Sequence, residues 1–300
     1  MIVAKENNGP GKLREFQNFI MDSTRWNDFK FRDDDIVIAA WAKSGTTWLQ
    51  QIVSQLIFNG AEGLEVWKLS PWYDFRANPP QVFAAVEAQT NRRFIKTHQP
   101  ADALLMSPKA KYLYIGRDGR DAAWSLFNHW DNLLEQLMAD VNSVPGRVGP
   151  PMERGAPDVH AFYREWLLRD GFPAWPFWEH VRTWWCLRDQ ANVKLLHFNG
   201  LKADLEGSIR SIAEFLGMDT ASLDLETIVA HCTFDYMKAH AGLSAPRGGM
   251  NWDGGAATFI NKGTNGRWRD VLSADEVVAY EARAVAELGP ECAAWLAGRG

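Results

Sequence analysis

The chain has 300 residues, 46% of them hydrophobic, and a formal net charge of −5. This length and composition predict a folded protein with a sizeable core and exclude a disordered chain. The acidic balance disfavours a general nucleic-acid binder, because such proteins usually carry net positive charge.

The chain shows no sign of membrane insertion or export. The apolar run from Ile36 to Ala42 is too short to span a bilayer, and Met1 to Phe16 is too polar for a signal peptide. The three cysteines are widely scattered and form neither a CxxC pair nor a cluster with metal-ligand spacing. We therefore expect a cytoplasmic protein in a reducing compartment, with no membrane partner and no metal site.

The first predicted unit is a strand, a turn and a helix. The acidic triplet at 33–35 is expected to be a solvated lead-in to a buried strand from Ile36 to Ala42. From Thr46 onward apolar residues recur at helical spacing until Asn59-Gly60 stops the helix. Lys43-Ser44-Gly45 is therefore a strand-to-helix turn.

Further strands alternate with helices. Strands are predicted at Arg93 to His98, Lys111 to Gly116 and Val193 to Phe198, and helices from Gly119, from Phe177 to Trp185 and from Leu205 to Leu216. A capping box at Ser273 to Glu276 begins a last helix that runs through Leu288. This alternation predicts an α/β fold with a central parallel sheet flanked by helices.

Two stretches lack this periodicity. Trp130 to Asp158 and Ala241 to Thr258 are rich in glycine, the first also in proline, and are predicted to be long loops. We expect the part from Asp131 to Pro151 to form a wall of the substrate site that becomes ordered when ligands bind. The chain has no internal repeat and no convincing linker, which predicts a single domain over residues 1–300.

The turn between the first strand and helix has the sequence Lys-Ser-Gly-Thr-Thr-Trp from Lys43 to Trp48. Free backbone N–H groups and the helix dipole create an anion site at such a place. The glycine lets a ligand approach the backbone, the threonines add hydroxyl donors and the lysine adds positive charge. The turn is not a Walker A loop, because Trp41-Ala42 stand where that motif needs a glycine. It predicts a phosphate site.

This turn resembles the 5′-phosphosulfate-binding loop of the cytosolic sulfotransferases, here in a bacterial-type member of that family. These enzymes take their sulfuryl group from 3′-phosphoadenosine-5′-phosphosulfate (PAPS). The resemblance implies a P-loop-like strand-turn-helix that holds the 5′-phosphate, with Trp48 on the adenine. The implied donor-binding residues of this segment are Lys43, Ser44, Gly45, Thr46, Thr47 and Trp48.

The strand Phe94-Ile-Lys-Thr-His98 is similar to the next motif of the family. Alternation along a strand places Lys96 and His98 on one face, where a lysine and a titrating histidine are a usable acid-base pair. The resemblance implies catalytic roles for His98, Lys43 and Lys96. The histidine would take the acceptor proton and the lysines would stabilise negative charge.

Two later segments resemble the 3′-phosphate motifs of the family. Tyr114 to Ser125 offers a guanidinium fork and a hydroxyl group, both suited to phosphate. Phe259 to Trp268 matches a glycine-rich segment, except that Asn261 stands where the family usually has arginine and offers only a neutral donor. The donor-binding residues implied outside the turn are Arg117, Ser125, Phe198, Phe234, Asn261, Lys262 and Gly263.

Two other positions depart from the family pattern on the adenine side. Phe198 replaces a tyrosine that is common there, and Cys232 stands where the family often has threonine ahead of Phe234. The adenine contacts are therefore expected to be weaker or rearranged.

The resemblance implies that PAPS is the co-substrate and that its sulfuryl group passes in line to a hydroxyl of a small acceptor, such as a phenol, alcohol or lipid. No metal or covalent intermediate is implied, and positioning and charge stabilisation dominate. One alternative is a P-loop-type kinase, which requires Mg²⁺. Another is a nucleotide-binding regulatory protein that has lost turnover. No nucleic-acid partner is expected, and the sequence leaves a homodimer open.

Overall fold

The computed structural model describes residues 11–299, and their fold is built on a four-stranded sheet in the order β2-β1-β3-β4. All neighbouring strands run parallel, and Ile38 pairs with Lys96 on one side and Leu113 on the other. The strands are β1 Ile36–Ala39, β2 Phe94–Thr97, β3 Lys111–Gly116 and β4 Val193–His197. The predicted α/β architecture with a central parallel sheet is confirmed.

Helices surround this sheet. They are α1 Thr46–Ile57, α2 Val66–Leu69, α3 Pro80–Ala88, α4 Gly119–Asp131, α5 Glu135–Asn142, α6 Val159–Leu168, α7 Phe177–Trp185, α8 Phe198–Ala203, α9 Leu205–Phe215, α10 Leu225–His231, α11 Phe234–Ala239, α12 Ala241–Ser244, α13 Ala256–Phe259, α14 Ala274–Leu288 and α15 Pro290–Leu296. Short 3₁₀ turns lie at Ser23–Trp26, Ala101–Ala103, Thr220–Ser222, Pro246–Gly249 and Arg267–Asp270. Over residues 11–299, none of the helices has the length and apolar character needed to cross a membrane.

The core follows the alternation of side chains along β1. Ile36 and Ile38 pack with the apolar face of α1, whereas Val37 and Ala39 pack on the opposite side with residues such as Trp184. A third, aromatic-rich cluster contains Trp41 and joins the end of β1 to α6 and α7. The sheet is thus buried on both faces, as expected for parallel strands.

The first strand is shorter than predicted. It ends at Ala39 rather than Ala42, because the chain turns and Trp41 enters the aromatic cluster. There the indole Nε1 donates to the carbonyl of Trp175 at 3.0 Å. This bend brings Lys43 to the edge of the sheet, ahead of α1.

The acidic triplet is only partly solvated, which corrects the sequence expectation. Asp33 is exposed, but Asp35 is buried and accepts two hydrogen bonds from the Arg93 guanidinium, at 2.8 and 2.5 Å. An aspartate can be buried when an arginine fork satisfies both carboxylate oxygens. This pair ties the start of β1 to the start of β2.

The two stretches predicted to be long loops contain helices. The stretch from 130 to 158 holds α5, and the chain just before this helix is fixed by Arg154, which donates to the carbonyls of Trp130 and Leu133 at 2.6 Å each. The stretch from 241 to 258 holds α12, one 3₁₀ turn and the start of α13. These short helices lack a sequence pattern long enough to predict them.

Candidate active site

A sequence-predicted site residue follows the end of each of the four strands. Lys43 follows β1, His98 follows β2, Arg117 follows β3 and Phe198 follows β4. Because the strands are parallel, these ends share one edge of the sheet, the usual ligand side of such folds. The structure therefore gathers side chains that are up to 155 positions apart in the chain.

The turn before α1 requires a glycine. Gly45 caps the helix with φ = 112°, a backbone conformation that other residues rarely adopt. A Cβ atom at this position would lie 2.9 Å from side-chain carbons of both Ile115 and Phe198. The first N–H groups of α1 receive no side-chain cap, so they are available to an anion. Ser44 and Thr46 are buried in this turn, and Thr47 and Trp48 are half-buried.

His98 is buried and held in one tautomer. Its Nδ1 lies 2.6 Å from the carbonyl oxygen of Ala40. A carbonyl oxygen only accepts, so Nδ1 carries the proton and Nε2 keeps a free lone pair. The rings of Trp72 and Trp175, centred 4.7 and 5.5 Å from the imidazole, fix its plane. Desolvation, followed by the charge of Lys96, lowers the pKa of His98 well below its ordinary value, which leaves a neutral base.

Lys96 is buried beside an acidic group that the sequence analysis missed. Burial lowers its pKa to about 8, and the negative charge of Asp74 opposes this shift. The Asp74 carboxylate is fully buried and accepts hydrogen bonds from Trp26, at 2.8 Å, and from Trp72 and Thr97. Desolvation raises the pKa of Asp74 to about 6.

Lys43 lies among other positive groups. Its pKa is lowered to about 7, mainly by desolvation and further by the charges of Arg117 and Lys96. The Nζ atom is 3.3 Å from His129 Nδ1 and 4.3 Å from the centre of the Phe259 ring. The structure thus brings Lys43, Lys96 and Arg117 into one electropositive site, as required to hold a polyanion.

Arg117 is buried, and its side chain links β3 to the C-terminal segment. Its guanidinium donates to the carbonyl of Lys43 at 2.9 Å and to the Oδ1 of Asn265 at 2.6 and 3.0 Å. The Phe198 ring lies beneath it, with the Cζ atom 4.4 Å from the ring centre. Burial lowers the pKa of Arg117 to about 10, so the group stays charged at neutral pH.

The aromatic residues predicted for adenine lie beside this arginine. The Trp48 ring meets Phe198 edge-on at 5.4 Å, and its Nε1 donates to the carbonyl of Cys232 at 2.8 Å. Phe234 is 39% exposed and packs against the backbone of Gly263, where a Cβ atom would lie 2.7 Å from the ring. Phe198 is itself buried, so the aromatic surface exposed to a base lies mainly on Phe234.

The C-terminal segment is anchored by residues that the sequence analysis missed. Lys202 donates to the carbonyl of Gly263 at 2.9 Å, Lys238 to that of Asn261 at 3.1 Å, and Asp121 accepts from the Gly266 N–H at 2.6 Å. Asn261 and Lys262 have exposed side chains, and Ser125 is half-buried on α4. Lys262 and Ser125 are thus less enclosed than Arg117.

Three further residues at the site escaped prediction, namely Asp74, His129 and Asn265. His129 lies four positions after Ser125 and so shares its helix face, a spacing that could have indicated it. The other two had no comparable sequence signal. Across residues 11–299, no three histidine, cysteine, aspartate or glutamate side chains are grouped so that they could hold a metal ion.

Comparisons with known proteins show the family and the fold. The family model described as Sulfotransferase domain matches residues 33–284. A glycolipid sulfotransferase of Mycobacterium bovis is 31% identical, over 93% of each chain. Mouse sulfotransferase 2A2 is 26% identical, over 89% of this chain and 88% of its own. The crystal structure of mouse sulfotransferase SULT7A1 complexed with PAP shares the fold, with a TM-score of 0.68, 21% identity and 91% coverage of both chains.

Proposed function

This chain belongs to the sulfotransferase family, and from that premise we propose that it transfers the sulfuryl group of PAPS in line to a hydroxyl of a small acceptor. The family assignment supplies the reaction class. Our proposal adds the donor, the direct geometry of transfer, the absence of a metal and the residues that perform the step.

One observation supports the proposal most strongly. A neutral histidine with a free Nε2 lies at the same sheet edge as Lys43, Lys96 and Arg117 and the uncapped start of α1. The cations and backbone N–H groups suit a phosphosulfate, and the neutral imidazole suits a hydroxyl proton. Simple nucleotide binding would not require the histidine.

We assign the roles by position. Gly45, Thr46 and Thr47 would hold the 5′-phosphate, with Ser44 supporting their turn, and Arg117 would take the 3′-phosphate together with Ser125, Asn261, Lys262 and Gly263. Trp48, Phe198 and Phe234 would contact the adenine. His98 Nε2 would take the proton of the attacking hydroxyl group. Lys43 and Lys96 would stabilise the charge that grows on the leaving phosphate as the S–O bond breaks.

The acceptor is proposed to be apolar or amphipathic. Trp72 and Trp175 flank His98, and such indole rings offer flat surfaces to a phenol, an alcohol or a lipid. Two mycobacterial relatives are named glycolipid sulfotransferases, and these names support a glycolipid acceptor within this range. We propose a cytoplasmic location, because Cys186, Cys232 and Cys292 are free thiols.

Nucleotide selectivity tests the proposal. We expect adenosine 3′,5′-bisphosphate (PAP) to raise the melting temperature and ATP to raise it far less, because Arg117 and its neighbours contact a 3′-phosphate that ATP lacks. Thermal-shift titrations with the two nucleotides, with and without Mg²⁺, measure this difference. Equal stabilisation by ATP, or stabilisation only with Mg²⁺, would favour the kinase alternative.

The rate should depend on pH through the two lysines. The active form needs charged Lys43 and Lys96 and neutral His98. We expect kcat/KM for the donor to fall about twofold between pH 6 and pH 7 and progressively more steeply above that, because the pKa of Lys43 is about 7 and that of Lys96 about 8. Protonation of His98 does not lower kcat/KM at the acid end of this range, since the pKa of His98 lies well below its ordinary value.

A Lys43→Arg variant is the control for this pH profile. Arginine stays charged, so the first part of the alkaline fall should disappear even if the rate is lower throughout. Bound donor should also move the fall in kcat to higher pH than the fall in kcat/KM, because its negative charge stabilises the ammonium groups. An unchanged profile in Lys43→Arg would remove Lys43 from this role.

We propose that the segment from Asp131 to Pro151 covers the acceptor. Its start is bonded to a second segment, since Leu134 N–H donates to the carbonyl of Asn251 at 3.0 Å and Asp253 N–H to that of Asn132 at 2.9 Å. We expect the amides from 131 to 151 to exchange more slowly with PAP and acceptor bound than in the free protein. Hydrogen exchange measures this, and unchanged protection rejects the proposed lid.

A further inference from the structure

The Lys43 ammonium lies against two residues that the proposed reaction does not use. Its Nζ atom is 3.3 Å from His129 Nδ1 and 4.3 Å from the centre of the Phe259 ring. His129 belongs to α4 and Phe259 ends α13, so two elements distant in the chain meet at this group. We call His129 and Phe259 the Lys43 seat.

The chemistry of the two groups fixes the direction of the hydrogen bond. Charged Lys43 only donates, so with the ammonium form His129 Nδ1 accepts and the ring proton is on Nε2. The imidazole must therefore be neutral. Desolvation of the ring, followed by the nearby charges of Lys43 and Lys96 and by His98, holds the pKa of His129 well below its ordinary value. His129 Nδ1 is thus available as a hydrogen-bond acceptor at neutral pH.

Neighbouring aromatic rings hold the imidazole in place. The Trp252 ring centre lies 5.0 Å from that of His129, and the Phe259 ring centre lies 5.8 Å from it. Trp252 also forms an isolated backbone bridge with Leu133, just beyond the end of α4. The ring is packed on two sides while Nδ1 meets Lys43, so the seat does not depend on a freely rotating side chain.

We propose that His129 is a positioning residue for sulfuryl transfer, which holds the Lys43 ammonium ready for the charge that develops on the leaving phosphate. This inference rests on the proposed function of Lys43. A long lysine side chain loses conformational entropy when it becomes ordered. The seat orders the Lys43 side chain before the sulfuryl donor binds. The Lys43 charge can therefore act in the transition state without a further loss of conformational entropy.

The proposal predicts where the effect of a substitution appears. A contact that orients Lys43 for charge developing on the leaving group acts mainly on kcat, whereas a contact that only helps to hold the donor acts on its affinity. A histidine that merely fills space between Trp252 and Phe259 would change stability and leave both kinetic constants similar. These three results are distinguishable.

Two substitutions at this position separate hydrogen bonding from packing. The His129→Leu side chain fills much of the space but cannot accept a hydrogen bond from Lys43, whereas the His129→Gln side chain provides an oxygen that can. We expect His129→Leu to lower kcat by about 10- to 100-fold, in the range of misplaced catalytic groups, with PAP affinity changed by less than about twofold. His129→Gln should recover most of the rate. Melting temperatures of both variants control for damage to the fold.

A double-mutant cycle tests whether His129 acts through Lys43. In a Lys43→Met background the ammonium is gone, so His129→Leu should have little further effect on the slower residual rate. An equal loss of rate in both backgrounds would overturn the proposal. So would equal kcat values for the wild type and His129→Leu at comparable stability, or a His129→Gln variant as slow as His129→Leu.

A measurement that needs no turnover completes the test. In protein labelled with ¹³C at the lysine ε-carbons, the Lys43 signal should titrate at lower pH in His129→Leu than in the wild type, because the charged form has lost its acceptor. His129→Gln should restore the position. If the wild type binds PAP but transfers no sulfuryl group, the proposed function fails, while this titration still decides whether His129 holds Lys43. An unchanged Lys43 titration in the His129→Leu variant would overturn the proposal that His129 holds the Lys43 ammonium.

Discussion

We expect the His98→Ala variant to transfer sulfuryl groups roughly 10²- to 10⁴-fold more slowly than the wild-type protein, the usual cost of losing a general base. The bond from His98 Nδ1 to the Ala40 carbonyl leaves Nε2 as the free basic atom. The low pKa of the imidazole keeps it neutral, which is the form that the proposed proton transfer requires. Steady-state rates at saturating donor and acceptor measure the loss.

His98→Asn is the matched control for this result. An asparagine amide can still donate toward the Ala40 carbonyl, but it does not accept and carry a proton near neutral pH. We therefore expect His98→Asn to be as slow as His98→Ala, with PAP affinity close to that of the wild type in both. Wild-type turnover in either variant would show that another group takes the proton.

We expect the second large effect in the Arg117→Ala variant, as a loss of affinity for the nucleotide PAP. The buried guanidinium places its charge beside the C-terminal segment, where it donates to Asn265 Oδ1 and to the carbonyl of Lys43. Charge-assisted hydrogen bonds to a phosphate contribute about 1.5–3 kcal/mol each, so the loss of PAP affinity should be on the order of 10²-fold. Affinity for adenosine 5′-phosphate should change little, because that nucleotide lacks the 3′-phosphate. Calorimetric titration with both nucleotides gives the ratio.

Arg269→Ala removes the same charge from an exposed position of the C-terminal region. It controls for the general electrostatic attraction of an anion, and we expect its PAP affinity to remain near that of the wild type. Arg117→Lys should lie between the two, because it keeps the charge but loses the fork. An Arg117→Ala variant that still prefers PAP to adenosine 5′-phosphate as strongly as the wild type would contradict the assignment.

The sheet and the turn before α1 could be predicted because their signals are local. The strand Lys111–Gly116 and the starts of the helices at Thr46 and Gly119 were predicted at the positions where the structure has them. Apolar runs and helical spacing decide such elements within a few residues of sequence. The capping box at Ser273 and Glu276 is also confirmed, with both reciprocal hydrogen bonds present.

The buried charged residues that the sequence did not predict depend on contacts between distant segments of the chain. Asp74 was not identified because its donors come from Trp26, Trp72 and Thr97, and no local pattern marks a buried carboxylate. Asp35 was expected in solvent for the same reason, although Arg93 satisfies it in the core. A charged residue can be buried only when tertiary structure supplies its partner.

The glycine-rich and proline-rich stretches illustrate a different limit. Their short helices are too brief to be stable alone, so they form only because tertiary bonds hold them. Arg154 fixes the chain that precedes α5, and Lys238 binds backbone carbonyls of the segment after α13. Neither contact follows from composition, which is why the sequence predicted loops there.

One measurement tests the central proposal most directly. The protein is incubated with PAPS and a panel of phenols, alcohols and glycolipids, and the products are identified by mass spectrometry. We predict that at least one acceptor gains a sulfuryl group while PAP appears in equal amount, in the presence of a chelator, and that the His98→Ala variant forms neither product at a comparable rate. Release of PAP with inorganic sulfate alone, or transfer that the chelator abolishes, would contradict the proposed reaction.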